Sequence, residues 1–83
     1  MEQIARTPKQ IGEAFRRQRR RLKISQTDLA QKTNLRQATI STVEGGEPGT
    51  QLRTLLDIMS ALDLEFLIRP RTKAAPHDIE EIF

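Results

Sequence analysis

The chain has 83 residues, 36 % of them hydrophobic with three Phe as its aromatics, and a net charge of +3 with a pI near 10.0. That describes one small domain whose core is marginal without help from a partner subunit. With no cysteine and the single His77, neither a disulfide nor a thiolate or imidazole metal site can be assembled, so no metal and no cofactor are expected.

The chain opens with MEQIARTPKQ, which lacks the apolar stretch of a signal peptide, and no later run approaches the roughly 18 apolar residues of a membrane span. A cytoplasmic location with no membrane partner is expected. Within that opening, Thr7-Pro8-Lys9-Gln10 places a capping Thr before a Pro at the first helical position and a Gln three residues after the cap, the pattern of a capping box. Ile11, Phe15, Gln18 and Leu22 then recur at helical spacing, so one stripe of this first helix faces a core while Arg16, Arg17, Arg20 and Arg21 lie mostly elsewhere. Arg19 falls on the apolar side between Phe15 and Leu22. An unpaired guanidinium there is costly, so an acidic partner from another element is required.

A second helix starts at Ser25-Gln26-Thr27-Asp28, with Ser capping, Asp returning the bond, and Ile24 and Leu29 at the positions of a hydrophobic staple. Asn34 ends it, since Asn tolerates positive φ. A third helix covers residues 37–44, with Ile40 and Val43 pointing inward and Leu35 packing at the turn. Gly45, Gly46, Pro48 and Gly49 make an irregular loop. Thr50 is expected to cap a fourth helix whose apolar face is Leu52, Leu55, Leu56, Met59 and Leu62.

After Asp63 the period changes. Leu64, Phe66 and Ile68 alternate, which fits a β-strand, and Pro70 ends it. One strand cannot satisfy its own backbone, and no second candidate exists in the sequence. Either it pairs with the same strand of another copy, or it is an extended segment packed on the fourth helix. The expected fold is therefore an all-α bundle of four to five helices containing a helix-turn-helix, plus one C-terminal strand pairing across a homodimer. Residues 1–69 form the domain and residues 70–83 a flexible tail. All 14 basic side chains lie in residues 1–73 against 8 acidic ones, a net charge of +6, whereas Asp78, Glu80 and Glu81 make the end acidic. A compact basic body suits a polyanion, most simply nucleic acid.

The candidate site is the outer face of the third helix. Gln37 and Ser41 are one turn apart, as are Ala38 and Thr42, and the four form an uncharged stripe opposite Ile40 and Val43. Such a stripe suits base edges: Gln can bond adenine N6 and N7 together, Ser can donate or accept, and Ala and the Thr methyl can touch a thymine methyl. It is equally what an ordinary solvated helix face looks like.

The run ISQTDLAQKTNLRQATISTVEGG resembles the helix-turn-helix of the phage-repressor (Cro and Xre) family, and the resemblance extends over residues 8–64. It implies that Gln26 binds a phosphate and braces Gln37, which reads a base, and that Arg19 pairs with Glu44 at the end of the recognition helix. RQATIS, TPKQIGEAFRRQR and LEFLIRP narrow the resemblance to the HipB-type antitoxins. This implies a sequence-specific repressor, the antitoxin of a type II toxin-antitoxin module. It would autoregulate its operon, bind a HipA-like serine/threonine kinase toxin, and form a homodimer on palindromic double-stranded operator DNA. The positions carried over as DNA-contacting are Arg36, Gln37, Ala38 and Ser41; Thr42 of the outer stripe joins them as an expected base contact, Gln26, Arg17, Arg20 and Thr39 are expected on phosphates, and Leu64, Phe66 and Ile68 in the dimer strand.

Two departures stand out. Asn34 replaces the family's usual turn Gly, and Arg36 replaces the usual Ser or Thr cap, a loss on the order of 1 kcal/mol. Arg36 makes sense if it approaches DNA. The acidic tail carries Ile79, Ile82 and Phe83, which could engage a partner on folding or serve only as a protease handle. The run of arginines at residues 16–21 reads as a nuclear localisation signal or as a solvated face, and His77 as an inert tail residue. Neither a nucleophile paired with His nor a phosphate-cradling loop is visible, so no enzyme is expected. Two rival functions remain: a stand-alone phage-repressor-type regulator with no toxin partner, and a protein-binding adaptor.

Overall fold

A computed structural model describes residues 2–72 and contains four helices in that range. These are α1 (Pro8–Arg21), α2 (Gln26–Thr33), α3 (Gln37–Glu44) and α4 (Leu52–Ala61). Each of the first two begins where its capping residues lie. The Thr7 hydroxyl accepts from Gln10 N at 3.1 Å, and Pro8 costs nothing at a position whose N–H would have no partner. The expected return bond shifts by one residue, because Gln10 Oε1 accepts from Arg6 N at 2.6 Å rather than from Thr7. In α2 the box is complete, with Asp28 N donating to Ser25 Oγ and Ser25 N donating to Asp28 Oδ2, both at 3.0 Å. Arg19, Arg20 and Arg21 fill the last turn of α1, where cations complement the helix dipole.

The core is Phe15 from α1, Leu29 and Ala30 from α2, Ile40 and Val43 from α3, and Ile58, Met59 and Leu62 from α4 and its end. Ile11, Ile24, Leu35, Leu55, Ala61 and Leu64 pack half-buried around it. The apolar stripe of α4 is rotated from the expected one. Ile58 occupies the central core position, while Leu52 and Leu56 are 62 % and 46 % exposed, and Leu22 at the end of α1 is exposed as well. Leucines at 52, 55, 56 and 62 fit two neighbouring helical stripes, and only packing against α2 selects between them. The cap of α4 is Gln51, with no side-chain bond, because the Thr50 hydroxyl is spent on Glu47 O at 3.2 Å.

Two glycines let α1 sit on the end of α3. A Cβ at Gly12 would meet the carbonyl oxygens of Val43 and Glu44 at 2.5 and 2.6 Å, and one at Gly46, where φ is +90°, would meet Lys9 Cα at 2.8 Å. This approach delivers the Arg face of α1 to Glu44. Asn34 ends α2 in the left-handed conformation, φ 59° and ψ 29°, as its side chain tolerates.

Residues 64–72 carry no helix and no strand pairing among the described residues. The expected strand of Leu64, Phe66 and Ile68 is absent among the described residues, since a ladder needs a second set of backbone groups. Leu64 N donates to Met59 O at 2.8 Å, and its side chain joins the core edge, but Phe66 and Leu67 are exposed and Ile68 is 95 % exposed. Arg6 Nη2 donates to Thr72 O at 3.0 Å, tying the N-terminal arm to this segment. His77, Asp78, Ile79, Ile82 and Phe83 lie outside the described residues. No helix among the described residues is long and apolar enough to cross a membrane.

Candidate nucleic-acid interface

Helix α3 has a poor start by local criteria. Arg36 at its N-cap makes no side-chain capping bond, and no acid occupies the first turn. What holds it is tertiary. Leu35 and Ile40 stand at the staple positions before and within the first turn, one half-buried and the other fully buried. At the other end, Glu44 is the one charged residue in the described core.

Glu44 explains Arg19. Arg19 Nε lies 2.6 Å from Glu44 Oε2 and its Nη2 donates to Oε1 at 3.1 Å, a two-pronged pair between side chains 11 % and 1 % exposed. Arg19 Nη1 also donates to Ile24 O at 3.0 Å, so the guanidinium is bonded on all three nitrogens. The acidic partner demanded by Arg19's place on the apolar stripe is therefore present. Two further donors reach the same carboxylate: Arg16 Nε at 3.4 Å and Gln26 Nε2 at 3.1 Å. Burial pushes the Glu44 carboxyl up, but the hydrogen bonds from Arg19, Gln26 and Arg16 and the Arg19 charge outweigh it and hold it below the usual glutamate value. The roles of Arg16 and Gln26 toward Glu44 were not foreseen from sequence. The available signal was that Arg16 and Arg19 stand three residues apart on one face of α1.

From Gln26 the network runs outward. Gln37 Nε2 donates to Gln26 Oε1 at 2.6 Å, so the brace implied by the resemblance is formed in the free chain. Arg36, Gln37, Ala38, Ser41 and Thr42 are all exposed along the outer side of α3, with Ile40 and Val43 buried behind them and Thr39 half-buried at the edge. The Thr42 hydroxyl turns back to donate to Ala38 O at 2.8 Å, which satisfies it within the helix and leaves its methyl as the group available for apolar contact. Arg17 and Arg20 are exposed on α1, and Arg17 Nη1 donates to Gln3 Oε1 at 3.3 Å. The five side chains on α3 thus share one accessible face that is uncharged except for Arg36, while the arginines stand on another helix. Leu64, Phe66 and Ile68 belong to neither.

The helix-turn-helix domain family matches residues 10–65. The antitoxin HipB of Escherichia coli (strain K12) is 31 % identical over 75 residues, covering 90 % of this chain and 85 % of that antitoxin. The solved structure described as "HipB-O4 20mer complex" superposes with a TM-score of 0.80 at 30 % identity, covering 86 % of this chain and 100 % of that one. That described as "Structure of HipA-HipB-O2-O3 complex" superposes with a TM-score of 0.79 at 30 % identity over the same shares. The chain belongs to the helix-turn-helix family and, within it, to the HipB antitoxins.

Proposed function

We propose that this chain is a sequence-specific DNA-binding repressor that works as an antitoxin, autoregulating its own operon and binding a HipA-like serine/threonine kinase. The observation that carries the reading is the outer face of α3, where Arg36, Gln37, Ala38, Ser41 and Thr42 stand exposed on a helix whose inner face and end are fully engaged. Short polar side chains on a rigid support lose little freedom on contact, and their donors and acceptors match base edges in a major groove. Gln26, Thr39, Arg17 and Arg20 are assigned to phosphates, which position the helix without carrying sequence information. No catalytic step is assigned.

The functional unit is a homodimer. Residues 1–69 supply the DNA-binding and dimerisation unit, joined to its partner through residues 64–69, and residues 70–83 form a tail. Phe66, Leu67 and Ile68 are exposed apolar side chains beside backbone that no strand among the described residues pairs, which a second copy of the segment would cover. Two recognition helices would then enter successive major grooves about 34 Å apart on a palindromic site. The kinase partner rests on the family, and its engagement of Ile79, Ile82 and Phe83 on the apolar side chains that the acidic end of the sequence carries. The protein would act in the cytoplasm, at the nucleoid when on its operator.

Footprinting the DNA upstream of the gene at moderate ionic strength tests this reading. A protected palindrome is expected. Genomic fragments without any protected site would overturn it.

A further inference from the structure

We propose that the buried carboxylate of Glu44, acting through Gln26, fixes which way round the Gln37 amide points and so makes Gln37 select adenine against guanine. This deepens the assignment of α3 as the base-reading helix and rests on it.

Two glutamine side chains facing each other can bond in either sense, because each carries an acceptor and two donors at nearly the same place. Bracing Gln37 with Gln26 therefore does not by itself choose an orientation. Glu44 does. When ionised it is an acceptor only, and its neighbours Arg19 and Arg16 both donate to it. Gln26 can join that cluster only through its NH2 group, as it does at 3.1 Å. Its Oε1 is then the atom left for Gln37, and Gln37 must present its own NH2 group, as it does at 2.6 Å. The sense of both amides is thus dictated by a negative charge two side chains away.

The consequence falls on the groups Gln37 has left, namely one N–H and the Oε1 oxygen. Adenine offers an acceptor at N7 and a donor at N6, which match them. Guanine offers acceptors at both N7 and O6, so the Gln37 oxygen would oppose O6 and only one bond could form. A Gln37 freed from this chain could rotate its amide and aim both N–H groups at guanine. Gln26 and Glu44 are in this sense positioning residues: they act on the base through Gln37.

The test is selection from a randomised duplex library with the full chain and three variants, each first checked for helical content. Wild type should enrich a motif with one position per half-site at which adenine exceeds guanine by about tenfold. Gln26→Met keeps the side-chain length and removes both polar ends. It should keep the remaining motif while the adenine-to-guanine ratio falls at least about threefold, whereas loss of a phosphate contact alone would weaken all sequences equally. Gln26→Glu sets a second carboxylate against Glu44, which repels it from the cluster, so its ratio should fall with that of Gln26→Met. Glu44→Gln can donate as well as accept, so its ratio should fall with that of Gln26→Met. An unchanged ratio in Gln26→Met or in Glu44→Gln overturns the inference while leaving α3 as the reading helix. A library from which wild type enriches nothing overturns the base-reading assignment itself and this inference with it.

Discussion

The end of α3 and the segment after α4 treat their exposed groups in opposite ways. At Glu44, a buried charge gathers Arg19, Arg16 and Gln26, and every buried side-chain nitrogen and oxygen among the described residues has a hydrogen-bond partner. After α4, Phe66, Leu67 and Ile68 stand in solvent beside backbone that no strand among the described residues pairs. The first region is complete in one copy, and its outer surface is polar and rigid. The second is complete only when something covers it. One small chain thus carries both a preformed polar surface and an uncovered apolar one.

The contrast is broken most severely at Glu44. Glu44→Ala leaves the Arg19 guanidinium without its partner in a mostly buried site and should destabilise the fold by about 3 to 5 kcal/mol, read by denaturant unfolding. A loss below about 1 kcal/mol would mean that the pair is not desolvated in solution. Acid sharpens the same point. The folded Glu44 carboxyl is held below its ordinary value of 4.5, so its contribution is fully present above that pH and is lost as pH falls through the lower folded value. The exposed Asp28 carboxyl is lowered too, by the Ser25 backbone N–H and hydroxyl. An acid limb that survives unchanged in Glu44→Ala would therefore not belong to Glu44 and would point to Asp28.

The unfinished region is probed by Phe66→Glu. Removing an apolar contact of that size should weaken self-association by about 2 kcal/mol while leaving the melting of the monomer nearly untouched. A sedimentation profile identical to wild type would show that residues 64–69 do not join the copies.

A smaller change should move the two properties of α3 in opposite directions. Arg36→Ser supplies the missing cap and removes a cation from the positive end of the helix, a gain of about 1 kcal/mol in stability. It should also weaken binding to the protein's own operator. A variant both more stable and undiminished in binding would deny that this position was shaped by contact.

Sequence made some of this visible and hid the rest for physical reasons. Caps and turns were legible because they are local: Thr7, Ser25, Asp28 and Asn34 do where they stand what their chemistry predicts. Arg19's need for an acid was legible because a charge on an apolar stripe is a conflict that only another element can resolve. The α4 stripe was not. Its leucines satisfy two registers equally, and the choice of Ile58 over Leu52 and Leu56 depends on how α4 leans on α2. The link from Glu44 to Gln26 was hidden too, because it joins side chains 18 residues apart that only the packing of α2 against α3 brings together. The strand pattern of residues 64–69 is plain in sequence, yet no strand pairing forms among the described residues.

The central claim is that the outer face of α3 reads bases, and the most direct measurement is the affinity of Gln37→Ala for operator and for random duplex, each across a salt series. The account predicts a loss of about 1 to 3 kcal/mol on operator DNA, none on random DNA, and an unchanged salt slope on both. Equal losses on the two duplexes would contradict it.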